Sequence, residues 1–371
     1  MGIMVGLPSP GGSEKDLQLN FGKNMTMQVE VWGPHLPAEW RRQSGIQLTW
    51  PHEGTDWADM LPEVQACFIQ IASAVSKYEL VLIVTPDPEL VKKQLSTTAN
   101  MANVRFFQCD TNDTWARDHG AITMMDNGSP ALLDFTFNGW GEKFPADLDN
   151  QITHKAVEAN VLHGQYIDRK DFVLEGGSIE SDGMGTLLTT SKCLLSPKRN
   201  DKLNKVEIEE YLRSIFHMER VLWLDHGHLT GDDTDGHIDT LARFCTTNTI
   251  AYVSCDDKND EQYEELKKME RQLETFGTLA GDAYRLVPLP MPDKIEFNGE
   301  RLPATYANFL IINDAVLYPT YNQPENDRKA YEALKSIFTL SEVIGIDCTA
   351  LIKQHGSLHC ITMQYPLGVI K

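Results

Sequence analysis

The chain has 371 residues, with 33 Lys plus Arg against 53 Asp plus Glu and a net charge of −20. That balance repels nucleic-acid phosphates; it suits a small cationic ligand, and equally plain solubility. Hydrophobic residues make up 42%, enough for a large core, yet no run of about 18 apolar residues offers a membrane span.

The first 34 residues are rich in Pro, Gly and Ser and lack the basic-then-apolar order of a secretion signal. They read as a flexible leader, with a short strand at most in MQVEVWGP. Strands are expected at Ile46–Trp50, Glu79–Thr85 and Val104–Cys109, and helices at Leu61–Lys77 and Pro88–Ala99. Further strands are read at Ala131–Phe135, Thr186–Thr190, Val221–Leu224, His237–Phe244 and Thr249–Ser254. Helices are read at Leu148–Leu162, Asn204–Phe216 and Glu261–Phe276. The last third reads as strands Tyr284–Pro288, Phe309–Ile312, Ala315–Pro319, Glu342–Asp347 and Leu358–Gln364, with a helix at Arg328–Ser336. Short strands alternating with helices make the fold class α/β. The recurrence fits either a degenerate repeat closing on itself or a doubly wound sheet. No polar linker breaks the chain after about residue 35, so 35–371 is expected to be one domain.

Seven scattered cysteines without CxxC spacing fit free thiols in a reducing compartment, and the cytoplasm is the expected location. Six of them sit in apolar runs or without polar company. Cys360, in QHGSLHCITMQYP, is the exception: it reads either as a nucleophile or as a buried strand cysteine. Gly356 just before it would give a ligand access. Three other clusters carry candidate partners. TWARDHG places Trp115 and Asp118 past a strand end, as a site or as a stitched turn. LEGGSIESDG puts Glu175 before two glycines, as an approachable carboxylate or as a hairpin turn. In DDTDGHIDTLARF, alternation on a strand would point His237 and Asp239 to one side, an acid/base pair or a solvated acidic loop. A metal site joining His226 and His228 to His237 lacks the usual ligand spacing, so neither metal nor cofactor is expected.

Together, in this order, WARDHG, EGGS, DGHID and HCITMQ resemble the agmatine deiminase family, bacterial and plant relatives of the Porphyromonas-type peptidylarginine deiminases. FNGWGEKFPADLDNQ and LPATYANFLIIND extend the resemblance over nearly everything from Leu36 onward. Departures are Ala121, where the family often has Pro, and His355 and Ser357 in the loop before Cys360. The resemblance implies a pentein fold, an α/β-propeller of five ββαβ modules around a central active-site channel. It also implies hydrolysis of agmatine to N-carbamoylputrescine and ammonia, on the route to putrescine.

By resemblance, Asp118 and Asp239 grip the guanidinium and Glu175 orients the His237 side. Cys360 attacks, and His237 serves as acid and then base. Trp115 walls the pocket, and Asp233 and Asp235 are the candidates for the substrate ammonium. Three carboxylates around one thiol would raise its pKa, leaving the resting thiol neutral. Arg243, the nearest cation for a free-arginine carboxylate, is expected to be structural. The alternatives are a deiminase of peptidyl- or free arginine and a non-catalytic guanidinium-binding protein. A homo-oligomer is suggested only by the resemblance and common practice.

Overall fold

The computed structural model describes residues 33–371. The leader, and all but the last two residues of the strand read at 27–34, lie outside the described residues. The described chain is α/β, built from small mixed sheets.

One local unit recurs five times. A strand pairs antiparallel with a second, and a helix then carries the chain to a third strand parallel to the second. Ile122–Asp126, Ser129–Thr136 and Gln165–Val173 form one such sheet, with helix Ile152–Glu158 in the crossover. Ile179–Ser181, Thr186–Thr190 and Arg220–Leu224 repeat it around helix Lys205–Phe216. Ala242–Thr246, Thr249–Ser254 and Arg285–Pro290 repeat it around Tyr263–Leu273. Leu310–Ile312, Ala315–Thr320 and Glu342–Asp347 repeat it around Pro324–Ile337. The fifth sheet is assembled from both ends of the described chain. Thr362–Pro366 runs antiparallel to Gln43–Thr49, which is parallel to Leu80–Thr85 and, beyond it, Val104–Gln108.

Local chemistry explains the elements. In helix Leu61–Val75, Val64, Cys67, Phe68, Ile71, Ala72 and Val75 recur at helical spacing and are all buried. Pro62 falls in its first turn, where a missing N–H costs nothing. Helix Lys205–Phe216 opens with a reciprocal cap between Asn204 and Glu207. Leu80–Thr85 has neighbours on both edges and is buried after its first residue, as its unbroken apolar run requires.

Four expectations need correction. Strands Ile122–Asp126 and Gln165–Val173 were not read from the sequence. The helix read at Leu148–Leu162 is a 3-10 turn, Asp149–Gln151, followed by Ile152–Glu158 alone. The strand read from His237 begins only at Ala242, because Ile238–Thr240 is a 3-10 turn closed by Thr240 onto the His237 carbonyl. The strand read from Leu358 begins at Thr362, so Cys360 sits in the preceding turn. There the side-chain oxygen of Asn308 accepts from the amides of His359 and Cys360, which are therefore not free for a ladder.

Candidate active site

Asp118 ends the short helix Ala116–His119. Its Oδ1 accepts from the Gly177 amide at 3.0 Å and lies 3.7 Å from Nδ1 of His237. Its Oδ2 accepts from the Trp140 indole at 2.9 Å. Trp140 holds φ +54 within a run of four left-handed residues, Gly139 to Glu142. For a residue with a Cβ that conformation costs about 1–3 kcal/mol, and it delivers the indole N–H to the Asp118 carboxylate.

The second carboxylate, Asp239, lies in the middle of the 3-10 turn Ile238–Thr240. Its Oδ2 accepts from Nδ1 of His359 at 2.8 Å and stands 3.8 Å from the Cys360 sulfur. Its Oδ1 is buried without a partner. Both ring nitrogens of His237 are likewise buried without a hydrogen bond. An unpartnered acceptor and an unpartnered acid/base ring facing one space are what a bound polar ligand would complete.

Gly177 shows where these groups converge. A Cβ there would lie 2.6 Å from His237 Nδ1, 2.9 Å from Asp118 Oδ1 and 3.2 Å from Asp239 Oδ2. Only a residue without a side chain lets the three approach one another. Gly356 lines the cleft beside Cys360 and Trp115. A Cβ on it would sit 2.0 Å from the Trp115 ring, so the room it leaves is filled by Trp115, which stands 5% exposed as a wall.

Electrostatics follow from burial. Burial pushes Asp118 up to about 6, with Asp239 and Glu175 adding to the effect and His237 opposing it. Burial would drive the His237 ring neutral, but Asp118, Cys193 and Glu175 hold it well above its ordinary range. Burial, then Asp239 and Asp118, push the Cys360 thiol well above its ordinary range, in line with the neutral resting thiol read from the sequence. Asp239 is held low: His359, His237 and Arg243 outweigh its burial.

Glu175 is fully buried, but both its oxygens take the Arg199 guanidinium, at 2.9 and 3.0 Å. It reaches the His237 side only as a neighbour within 4.8 Å of the ring and of Cys193. The same Arg199 bonds Asp235 at 2.6 Å. Asp235 therefore already has its cation and does not fit the role of substrate-ammonium partner. Arg243 is structural as expected: fully buried on strand Ala242–Thr246, it bonds Glu180, Glu39 and the Phe309 carbonyl.

A cleft of about 20 Å³ opens onto Cys360 and Asp118, walled by Trp115, Trp140 and Phe144. Asp233, Asp113 and the exposed Asp56 line it farther out. Asp113 accepts from the Trp115 indole at 3.1 Å, and burial, with Asp56 adding, pushes it up to about 7. Burial also raises Asp233, against His355 and Lys143. A larger cavity of about 60 Å³, lined by Glu39, Arg117 and Glu180 among others, does not include Cys360.

Sequence reasoning missed Trp140, Arg199, Asn308, His359, Glu39 and Asp113. Asn308 has its Oδ1 3.4 Å from the Cys360 sulfur. Among the described residues, two clusters could offer donor sets to a metal, Glu175–Cys193–His237 and Glu39–Glu180–His359. A guanidinium already bonds the carboxylates of each, which disfavours an added cation. Neither cluster includes His226 or His228; His226 lies 3.4 Å from Glu265 instead. The trio of His226, His228 and His237 is therefore not assembled.

Comparison with known proteins places the chain in a family. Residues 35–366 match the Porphyromonas-type peptidyl-arginine deiminase family. A Legionella pneumophila protein provisionally named agmatine deiminase is 32% identical, over 92% of this chain and 98% of its own. A solved Porphyromonas gingivalis structure, provisionally named arginine deiminase, is 49% identical with TM-score 0.86, covering 91% of this chain and all of its own. A Cys-to-Ser variant of C. jejuni agmatine deiminase with substrate bound is 39% identical with TM-score 0.84, over 91% and 97%. The chain belongs to the Porphyromonas-type peptidyl-arginine deiminase family of guanidino-group hydrolases.

Proposed function

We propose that this protein is an agmatine deiminase, hydrolysing agmatine to N-carbamoylputrescine and ammonia. The observation that carries the reading is the cleft itself. Cys360 and Asp118 line its inner end, with His237 3.7 Å from Asp118 and Asp239 3.8 Å from the sulfur buried just behind them, while Asp56, Asp113 and Asp233 and, among the described lining residues, no lysine or arginine line its outer part. The nearby Lys143 is occupied by the Asp233 carbonyl and lies 3.8 Å from Asp235. An arginine α-carboxylate would meet repulsion where an agmatine ammonium meets attraction.

Asp118 and the free oxygen of Asp239 grip the guanidinium, and its charge favours the thiolate, so that the Cys360 proton passes to solvent and ends on the released ammonia as ammonium. The thiolate forms a C–S bond to the guanidinium carbon. His237, held protonated, gives its proton to the departing nitrogen, the C–N bond breaks, and ammonia leaves an amidino-thioether. The neutral ring then takes a proton from water as its oxygen adds to the same carbon. The C–S bond breaks, and Cys360 regains a proton. Glu175 acts on the ring through charge, from behind Arg199. Asp113 and Asp233 hold the ammonium, and Trp115 flanks the methylenes.

In this reading residues 35–371 form a single pentein domain, the five strand units enclosing the site about a pseudo-fivefold axis. Seven unpaired cysteines suit the cytoplasm and a place in putrescine synthesis. A homo-oligomer remains part of the reading by family resemblance. The 49% identity to a protein named for arginine favours free arginine as the second reading.

The test is ammonia release from agmatine, arginine and a blocked peptidylarginine, with and without EDTA, beside Cys360→Ala. Turnover of agmatine alone, unaffected by EDTA and absent in the variant, is expected. Arginine turnover at a comparable rate would overturn the substrate assignment and keep the chemistry. Binding without turnover of any of the three would overturn the chemistry.

A further inference from the structure

Behind Asp239, away from the cleft, one buried ring joins two buried carboxylates. His359 Nδ1 lies 2.8 Å from Asp239 Oδ2, and its Nε2 lies 2.7 Å from Glu39 Oε2. Ring and carboxylates are nearly or fully buried, at 2%, 0% and 7% exposure. A neutral imidazole has one N–H and one lone pair. It can donate to only one of these oxygens, and its lone pair would then face the other at hydrogen-bond distance without a proton between them. The two contacts need two protons.

The second proton has one suitable place. Glu39 Oε2 also accepts from Arg243 at 2.8 Å, and Glu39 Oε1 accepts from the Ile311 amide at 2.7 Å. A carboxyl proton on Glu39 would collide with those donors. On Asp239 Oδ1, which is buried without a partner, a proton would leave the His359 contact unfilled, and on Oδ2 it would remove the charge of the carboxylate beside the sulfur. The ring remains. We infer that His359 is a resident imidazolium that positions Asp239, and is thereby a positioning residue for the deimination proposed above.

The surrounding charges are mixed. Arg117 and Arg243 stand close to the ring, with Glu180 beyond Arg243, and burial, then the two guanidiniums, outweigh Glu39 and Asp239 and lower the ring's hold on a second proton, so the two short contacts carry the assignment against the surrounding charge. On the cleft side Asp239 meets Asp118, His237 and Cys360. A fixed cation behind Asp239 lets it stay ionised among those acids, with one oxygen anchored and the other open. His359 also precedes the nucleophile in the chain. Asn308 holds the amides of both residues, so the device that orients the substrate-binding carboxylate is built onto the turn that carries the sulfur.

The experiment is nitrogen NMR of the whole protein labelled at histidine, without substrate, followed by pH profiles. An imidazolium signal that persists about two pH units above the ordinary histidine range and vanishes in His359→Asn is expected. His237 gives a separate persistent signal, identified by its loss in His237→Asn. If no persistent signal belongs to His359, the inference is overturned, whatever the protein turns over. His359→Asn is expected to lower kcat/KM for agmatine roughly 100-fold and to steepen the acid limb set by Asp118 and move it to higher pH, because Asp239, without its cation, then takes up its proton in the same range. Glu39→Gln, which keeps a side chain of the same shape, is expected to move the limb the same way. A folded His359→Asn protein with the limb unmoved would overturn the positioning role. If the parent does not act on agmatine at all, the proposed substrate fails, while the NMR result still decides the proton.

Discussion

The inner and outer parts of the cleft are both acidic, but they are built differently. Inside, Asp118, Glu175 and Asp239 are each held by a fixed donor: Trp140 and Gly177, Arg199, and His359. Outside, Asp113 is held as Asp118 is, by an amide and an indole, those of Thr114 and Trp115, but its charged neighbour is the exposed Asp56 where Asp118 has His237. The same residue type therefore does two jobs. A carboxylate with a locked geometry can align a planar guanidinium against a sulfur atom. A carboxylate without a resident cation supplies attraction for a remote charge without dictating its angle.

That contrast predicts effects of different kind and size. The largest should come from Cys360→Ala, which removes the covalent route and lowers kcat by roughly 10⁴-fold or more for any guanidine substrate; a partial loss would break the assignment of the sulfur as nucleophile.

Asp118→Asn should come next, lowering kcat/KM about 100- to 1,000-fold for agmatine and for an alkylguanidine lacking the ammonium alike. Asp118 must be ionised to work, and its carboxyl is pushed up to about 6. Activity should therefore fall as pH drops through about 6, a limb that Asp118→Asn should lose. The stability consequence has a definite sign. The folded protein holds this proton more tightly than the unfolded chain, so ionisation costs the fold stability as pH rises from about 4 to about 6. The melting temperature of Asp118→Asn relative to the parent should accordingly rise between pH 4 and pH 7.

Outer changes should sharpen the comparison. Asp113→Asn and Asp233→Asn should each raise KM for agmatine about tenfold at nearly constant kcat, the signature of lost uniform binding. Neither should affect the alkylguanidine. Equal losses on both substrates would erase the distinction between the two parts of the cleft. The smallest effect belongs to Asp235→Asn, within about threefold on KM, because this carboxylate already faces Arg199 and Lys143.

Legibility in the sequence divides along the same line. Cys360, His237, Asp118 and Asp239 are reactive residue types set in short distinctive motifs, and the structure brings them together. Their supports were illegible because they arrive from far away. Glu39 meets His359 across 320 residues, and Asn308 meets Cys360 across 52. Asp235 was misassigned for the same reason, since nothing near it announces that Arg199, 36 residues back, will take its charge. In the fold, Gln165–Val173 escaped notice because only Phe172 of its nine residues is buried, which leaves no apolar alternation to detect. Leu80–Thr85, with neighbours on both edges, was plain.

The pairing of Thr362–Pro366 with Gln43–Thr49 has a consequence for synthesis. Tyr365 bonds Gln47 across 318 residues, so on the ribosome the Gln43–Thr49 strand emerges long before its partner on that side. Through most of translation one edge of the first sheet offers unpaired amides and carbonyls to any neighbouring chain. The turn bearing the nucleophile stays unformed for the same interval. A message cut short before codon 362 would make a polypeptide with an open sheet edge and no assembled site, marked by aggregation rather than by weak activity.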